Sequence, residues 1–335
     1  MTHITLPRSA LLIAAVLLAS LPLWASTFYI QLGTKILIMA IFALSLDLLV
    51  GHTGLVSLGH AAFFGVAAYG LALISPKYEA ANFWLTLPLA ALAAAVAASI
   101  IGFFVVRTAG VYFIMVTLAF AQMLYSIFHD TNIGGGSDGI YILVRPEMNL
   151  AGIKLLDLES PVQFFYLTLI MLVAVYIFLS YLLHAPFGRA LAGIRVNEQR
   201  MRSIGFPVFF YKLGAFVLAG ALAGVAGYLA ACQFGFVNPE ILVWHQSGTV
   251  LMMVILGGMG RLHGAVIGAF AYVLLQELLS AQALFGVYAK HWQLGMGLLI
   301  VLLVLVLPHG IGGLIDIQLR RQSYRRTAAT EVQGG

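Results

Sequence analysis

The feature that most constrains this chain is a series of long apolar runs that are almost free of charge. The clearest of them occupy residues 11–29, 84–106, 162–183 and 294–307. A helix needs roughly 20 predominantly apolar residues to cross the hydrocarbon core of a bilayer. Because the runs are continuously apolar rather than alternating in polarity, they favour helices over the strands of a membrane barrel. The sequence therefore predicts an all-α, polytopic integral membrane protein.

The composition fits lipid rather than water as the surrounding solvent. Of the 335 residues, 62% are hydrophobic and 9% are charged, whereas a soluble domain carries about 25% charged residues. The single cysteine, Cys232, excludes an intramolecular disulfide and a cysteine-based metal cluster. The sequence contains no H-E-x-x-H zinc motif, nucleophile elbow or dinucleotide fingerprint. We therefore expect a protein that is not an enzyme, with no catalytic residue, metal or cofactor in this chain.

The polar linkers predict how the chain crosses the membrane. We place about ten spans, at residues 10–30, 36–50, 56–75, 83–106, 110–128, 161–184, 213–231, 245–258, 264–280 and 293–308. With this division, 12 of the 17 lysines and arginines fall on one side. Such residues accumulate on the cytoplasmic side, so both termini are predicted to be cytoplasmic. The pI near 9.3 follows from the same bias and is no argument for a nucleic-acid partner.

The spans form one predicted transmembrane domain, residues 1–318, followed by a basic cytoplasmic tail, residues 319–335, that we expect to be disordered. The run after Arg8 has the rough shape of a signal peptide, but no A-x-A cleavage site follows, which favours an uncleaved first span. Two spans are unusual, because 36–50 runs directly into a Gly-His-Thr-Gly sequence and 245–258 is short. Each is a candidate for a broken or re-entrant helix.

Small residues are dense in several spans. Two G-x-x-x-G pairs, Gly220 with Gly224 and Gly264 with Gly268, have the spacing that lets helices pack closely. Packing inside one subunit is favoured over a specific dimer seam. An inverted internal repeat, which is common in transporters, stays open because no internal sequence match is evident.

The basic linker at residues 185–212 has a helical pattern. Its apolar residues at helical spacing are Leu191, Ile194, Met201 and Ile204. Glu198 and Arg202 lie four residues apart in the order that favours a helical ion pair. The residues alone leave two alternatives open, a short amphipathic helix outside the bilayer or an ordinary basic loop.

The longest predicted outer loop, residues 129–160, contains a glycine-rich run at 134–139. A phosphate-binding P-loop requires a lysine followed by serine or threonine, which this run lacks. The run is interpreted as a flexible turn or as a docking surface for an external partner. The candidate docking residues are Gly135, Gly136, Ser137 and Asp138.

Polar side chains within the apolar spans are candidates for a transport pathway. An ionisable group in a span is costly, and this favours either a pathway role or an interior partner. A neutral, hydrogen-bonded Asp47 is the simpler alternative, and a group near a helix end, such as Glu277, can reach the interface. The candidate pathway residues are Asp47, Ser57, His60 and Gln122.

Three stretches of the sequence carry recognisable motifs. They include SLGHAAFFG at 57–65, TLAFAQMLY at 117–125, and a third stretch from FGRAL at 187–191 to VILGGMG at 254–260. These motifs resemble the family of LivM-type permease subunits of branched-chain amino acid ABC importers. Together they extend over about residues 40–270. The resemblance implies an ATP-driven importer that moves branched-chain or related hydrophobic amino acids from the periplasm to the cytoplasm, across the bacterial inner membrane.

The resemblance also implies partners. They are a second, LivH-type permease subunit, two ABC ATP-binding subunits that hold ATP and magnesium, a periplasmic substrate-binding protein, and the surrounding membrane lipid. Segment 187–205 would then be the coupling helix seated in an ATP-binding subunit. The residues carried over to this role are Gly188, Arg189, Arg195, Asn197, Glu198 and Gly205.

Alternatives to this function remain. Asp47 and Thr249 stand where the family pattern has Asn and Glu, and relatives that carry urea or short amides share the architecture. An ion-coupled secondary transporter would use carboxylates such as Asp47 and Glu277. A membrane-embedded enzyme is disfavoured, because the sequence shows no cluster of His, Asp or Glu at one interface.

Overall fold

Most of the chain is helical in the computed structural model, which describes residues 16–76, 78–150, 153–307 and 310–313. The helices are α1 Thr27–Asp47, α2 His60–Ile74, α3 Phe83–Val105, α4 Val111–Asp130, α5 Pro161–His184, α6 Pro186–Val196, α7 Glu198–Ser203, α8 Val208–Phe234, α9 Trp244–Gly257, α10 Leu262–Ser280, α11 Gln282–Phe285 and α12 Trp292–Val306. The short strands are β1 Ile140–Tyr141, β2 Met148–Leu150, β3 Ile153–Leu156 and β4 Phe236–Val237.

The predicted class is confirmed. Within the described ranges, seven helical stretches are long and apolar enough to cross a membrane. The count of about ten spans and the side of the termini stay predictions, because residues 1–15 and the tail 319–335 lie outside the described residues. The domain boundary at residue 318 lies outside them as well.

The predicted linker between the first two spans is wrong. Helix α1 runs unbroken through residues 31–35, with Lys35 half-buried on it. The break comes earlier, where Pro22 lies at the start of a 3-10 turn, Leu21–Leu23. Proline lacks the N–H that a helix needs and its ring clashes with the preceding turn. A lysine keeps its backbone N–H and has no ring that clashes with the preceding turn. Its long stem packs along apolar surface while the charge reaches outward.

The core of the bundle lies between α1, α2, α3 and α8. The apolar window of α1 is 94% buried and that of α8 is 72% buried, whereas the window of α4 is 17% buried. Glycines allow this packing, since a Cβ at Gly220 or Gly224 would meet the Cβ of Ala98 or Ala94 on α3 at 2.5 or 2.6 Å. The G-x-x-x-G pair therefore packs inside the subunit, as predicted, and the second pair does the same against α9.

The bundle has two chemically different ends. The basic end carries α6 and α7, and the chain after α1 reaches it, because Arg195 donates a hydrogen bond to the Gly51 carbonyl. The strand-bearing end carries β1, which pairs antiparallel with β4, and the β2–β3 hairpin. There Arg145 donates to the carbonyls of Leu158 and Gln233 at 2.9 and 3.1 Å. The outer loop is thus folded against the end of α8.

Helices α2 and α9 pack within the bundle but are shorter than a membrane crossing. Helices α2 and α9 have 15 and 14 residues, so each spans about 22 Å at 1.5 Å per residue, against a hydrocarbon core of about 30 Å. A π-helical turn, Leu48–Thr53, follows α1, and Gly54 reverses the chain with a φ of 76° that favours glycine. The irregular backbone predicted after span 36–50 is therefore present.

Candidate functional site

The linker at the basic end forms two helices rather than the single one predicted for residues 187–205. Helix α6 ends at Val196, and Asn197 caps α7, its side-chain oxygen accepting from the Arg200 backbone N–H at 2.9 Å. Asparagine is a favoured N-cap because it satisfies an N–H that has no partner within the helix. The chain leaves the segment at Gly205, whose φ is 89°. The predicted helical structure is therefore confirmed, as two helices with a break at Asn197, and its position outside the bilayer stays a prediction.

Helix α6 is fixed to the bundle by its apolar face. Leu191 and Ile194 are buried, and Gly188 follows the end of α5 so closely that a Cβ would overlap the Leu183 backbone. The opposite side is open, with Arg189 exposed. Val196 and Ile204 are 87% and 62% exposed. Ile204 was expected on the apolar face, but it follows the end of α7 and so faces outward.

Glu198 ties α7 to the membrane-spanning helix α8. Its carboxylate oxygens lie 2.5 Å from Lys212 Nζ and 2.5 Å from Arg202 Nη2. Burial acts to raise the pKa of Glu198, but the hydrogen bonds and positive charges of Lys212 and Arg202 outweigh it, so its pKa lies below the ordinary value. The Lys212 side chain is 6% exposed, so Glu198 provides the counter-charge of a nearly buried ammonium group.

Asp47 lies at the basic end, in the last turn of α1, and is fully buried. Its Oδ1 accepts a hydrogen bond of 2.8 Å from the backbone N–H of Gly260, and its Oδ2 lies 3.6 Å from His52 Nε2. Gly260 belongs to the loop between α9 and α10. Asp47 is therefore a buried, hydrogen-bonded side chain, as the simpler alternative predicted. A role for Asp47 in a transport pathway stays a prediction.

His60 belongs to a buried polar cluster where the first turns of α2 and α9 meet, and Ser57 lies three residues before it. His60 Nε2 lies 2.9 Å from Ser45 Oγ, and the Ala61 backbone N–H donates to Ser247 Oγ at 2.8 Å. Ser57 is also fully buried. The sequence analysis did not identify Ser45 and Ser247 as site residues. The position of Ser247 near the start of the short predicted span 245–258 could have indicated it.

The fourth pathway candidate, Gln122, does not join that cluster. It lies on the exposed side of α4, in register with exposed Met115 and Ala119. Thr117, on the opposite side of the same helix, is buried and accepts from the Leu58 backbone N–H at 3.3 Å. An amide on an outward face of an apolar helix requires a polar partner or water. The α4 face with Met115, Ala119 and Gln122 therefore differs from an ordinary lipid-facing surface.

Glu277 lies far from Asp47. Asp47 contacts Gly260, which immediately precedes α10, whereas Glu277 comes 15 residues after Leu262 at the start of that helix. This separation corresponds to about 22 Å along the helix axis. The two carboxylates therefore do not form one intramembrane site.

The candidate docking residues lie at the strand-bearing end. The glycine run forms two 3-10 turns, Asn132–Gly134 and Gly136–Asp138. Gly135, Ser137 and Asp138 are exposed and Gly136 is half-buried. Within the described residues, no three His, Cys, Asp or Glu side chains come close enough to hold a metal ion.

Within the described ranges, seven apolar helices of membrane-spanning length define a multi-spanning membrane protein. Two short helices whose first turns meet inside the bundle are typical of transporters. The chain matches the family model for the permease component of branched-chain amino acid transport systems over residues 28–307, and it belongs to this family. The predicted resemblance is thereby confirmed.

Individual relatives agree with this membership. The chain is 33% identical to the high-affinity branched-chain amino acid transport system permease protein LivM of Salmonella typhimurium, over 94% of this chain and 76% of the relative. It is 33% identical to the protein of the same name from Escherichia coli, over 94% and 77%. Similarity to the autoinducer 2 import system permease protein LsrC of Escherichia coli O157:H7 is 32% over 44% of each chain. No solved structure matches the chain.

Proposed function

We propose that this chain is a transmembrane permease subunit of an ATP-driven ABC importer, which carries branched-chain or related hydrophobic amino acids inward across the bacterial inner membrane. The observation that carries the proposal is 33% identity to LivM proteins over 94% of the chain. The folded segment at the basic end supports it, because a coupling element must be rigid and anchored to transmit force.

The basic end is proposed to face the cytoplasm, where two separate ATP-binding subunits hold ATP and magnesium. Val196 and Ile204 are large apolar side chains exposed at an end rich in arginine. A contiguous apolar patch exposed outside the bilayer is typical of a protein interface, and we propose that Val196 and Ile204 belong to one. Glu198 and Arg195 hold this surface to α8 and to the turn after α1.

The α4 face with Gln122 is proposed to face a second, LivH-type permease subunit and to line the route between the two subunits. Its helix is the least buried of those between α1 and α10 that have spanning length. A lone amide costs free energy against lipid, whereas between two subunits it finds water, substrate or a polar partner. The buried cluster around His60 supports the helix junction behind this face.

The strand-bearing end is proposed to receive a periplasmic substrate-binding protein. Ser137 and Asp138 are exposed there on a loop that Arg145 and the β1–β4 pairing hold in place. A loop held by a rigid scaffold is a common location for recognition.

Uptake in whole cells tests the function. Cells that lack this chain are expected to lose uptake of labelled L-leucine, and expression of the chain restores it. Depletion of ATP abolishes the restored uptake, while a protonophore applied at maintained ATP does not. Uptake that survives ATP depletion but collapses with the protonophore supports an ion-coupled transporter instead. Restored uptake of labelled urea without leucine uptake supports the urea branch.

A further inference from the structure

Three segments meet at the basic end, and two of them touch backbone to backbone. The π-helical turn after α1 packs against the loop between α9 and α10, so closely that a Cβ on Gly51 would overlap the Gly260 backbone and the Asp47 carboxylate. The third segment is α6, which contributes Arg195. The contact is therefore shared by two membrane-embedded elements and one surface helix.

Hydrogen bonds tie the three segments together. The buried Asp47 carboxylate accepts from the Gly260 N–H at 2.8 Å, which joins α1 to the α9–α10 loop. The Arg195 guanidinium donates to the Gly51 carbonyl. Gly51 lies in the last turn of a helix, where carbonyls lack partners within the helix and a cation is favourable.

The chain connects this contact directly to both short helices, α2 and α9. The π-helical turn leads through Gly54 into the chain that begins α2, and the loop containing Gly260 ends α9. Helices α2 and α9 are the two short helices whose first turns meet at Ser247. Any displacement of α6 relative to the bundle must therefore either break the Arg195 bond or move the ends of both short-helix units.

We propose that Arg195, Gly51, Asp47 and Gly260 form a latch, in which Arg195 is the positioning residue that links motion of α6 to the two short-helix units. The inference rests on the proposed function, and it adds a residue-level link between ATP hydrolysis and substrate movement. When Arg195 is bonded to Gly51, a shift of α6 is transmitted to α2 and α9. Without that bond, α6 moves with the ATP-binding subunits while the short helices stay in place.

The test compares two activities of the complete importer, purified with the subunits that accompany this chain and reconstituted in lipid vesicles. L-leucine uptake and ATP hydrolysis are measured in the same vesicles. Loss of a hydrogen bond to a charged group predicts about a tenfold fall in leucine moved per ATP hydrolysed for Arg195→Ala, with no fall in hydrolysis itself. Arg195→Lys retains a cation and is expected to restore part of the ratio. An unchanged ratio, or a parallel loss of both activities, overturns the latch.

Two further comparisons keep the test specific. Arg107→Ala removes a cation that lies over the rings of Phe103 and Phe209 instead, and it should leave the ratio unchanged. Asp47→Asn keeps an oxygen that accepts from Gly260 and should retain coupling, whereas Asp47→Leu should lose it. Equal ratios in the two Asp47 variants contradict the latch even if the Arg195 variants fail to assemble.

If wild-type vesicles hydrolyse ATP but import no leucine, the proposed substrate is wrong. The latch is then judged by the hydrolysis that occurs without the binding protein, which Arg195→Ala should raise and an intact latch should restrain.

Discussion

At the scale of single residues, Glu198 illustrates how a charge on the surface segment compensates one within a membrane-spanning helix. Removal of Glu198 leaves the Lys212 ammonium, whose side chain is 6% exposed, without the carboxylate 2.5 Å away. Breaking such a pair costs about 3–5 kcal/mol when both partners are fully buried, and less here because Glu198 remains 29% exposed. We expect Glu198→Ala to lower the thermal midpoint of the purified protein by more than Glu198→Gln, which still accepts a hydrogen bond.

The same pair predicts a pH dependence. The pKa of Glu198 is depressed in the folded protein relative to its ordinary value of 4.5. A depressed carboxylate pKa stabilises the fold fully above the unfolded pKa and loses this contribution as the pH falls through the folded value. The difference in thermal midpoint between wild type and Glu198→Gln should therefore be constant near neutral pH and shrink below about pH 4.5. A difference that is independent of pH down to strongly acidic conditions contradicts this account.

Gln122 provides a second prediction at this scale, on transport rather than stability. Because Gln122 lies on the exposed side of α4, Gln122→Leu removes a polar group without leaving a buried partner in the described subunit. Leucine uptake should fall by about tenfold if the amide lines the route, while the amount of protein in the membrane stays unchanged. Met123→Leu, at an adjacent exposed position that is already apolar, is the control. Equal uptake in the two variants would place the amide outside the route.

At the scale of elements, local signals predicted most helices and long-range contacts explain the differences. The span predicted at 161–184 coincides with α5, and 83–106 differs from α3 by one residue. The break at Asn197 was missed because the same residue type is tolerated inside a helix, and its capping bond decides the outcome. The contact of Asp47 with Gly260 joins residues 213 positions apart, a separation that no local pattern records. The candidate residues were therefore found more readily than their partners.

The prediction at this scale concerns the close packing of α8 against α2. A Cβ on Gly227 would overlap the Phe64 carbonyl, whereas one on Gly297 of α12 meets no heavy atom of the described residues within 4 Å. Overpacking of a tight interface costs about 1–3 kcal/mol, so Gly227→Ala should lower the thermal midpoint and the yield of folded protein. Gly297→Ala, the matched control, should leave both unchanged. A Gly227→Ala protein as stable as the control would contradict the close approach of these helices.

At the scale of the whole molecule, the proposed function requires the two ends of the bundle to lie on opposite sides of the membrane, with the basic end in the cytoplasm. A cysteine-free background is accessible, because Cys232 is the single cysteine and packs as a small buried side chain, so Cys232→Ala removes it at little cost in volume. Ser137→Cys then places a thiol at the strand-bearing end, and Arg200→Cys places one on α7 at the basic end; both positions are exposed. A maleimide that does not cross membranes should label Ser137→Cys in intact spheroplasts, and Arg200→Cys after permeabilisation alone. Labelling of Arg200→Cys in intact spheroplasts would reverse the orientation, and with it the assignment of the surfaces for the ATP-binding subunits and the substrate-binding protein.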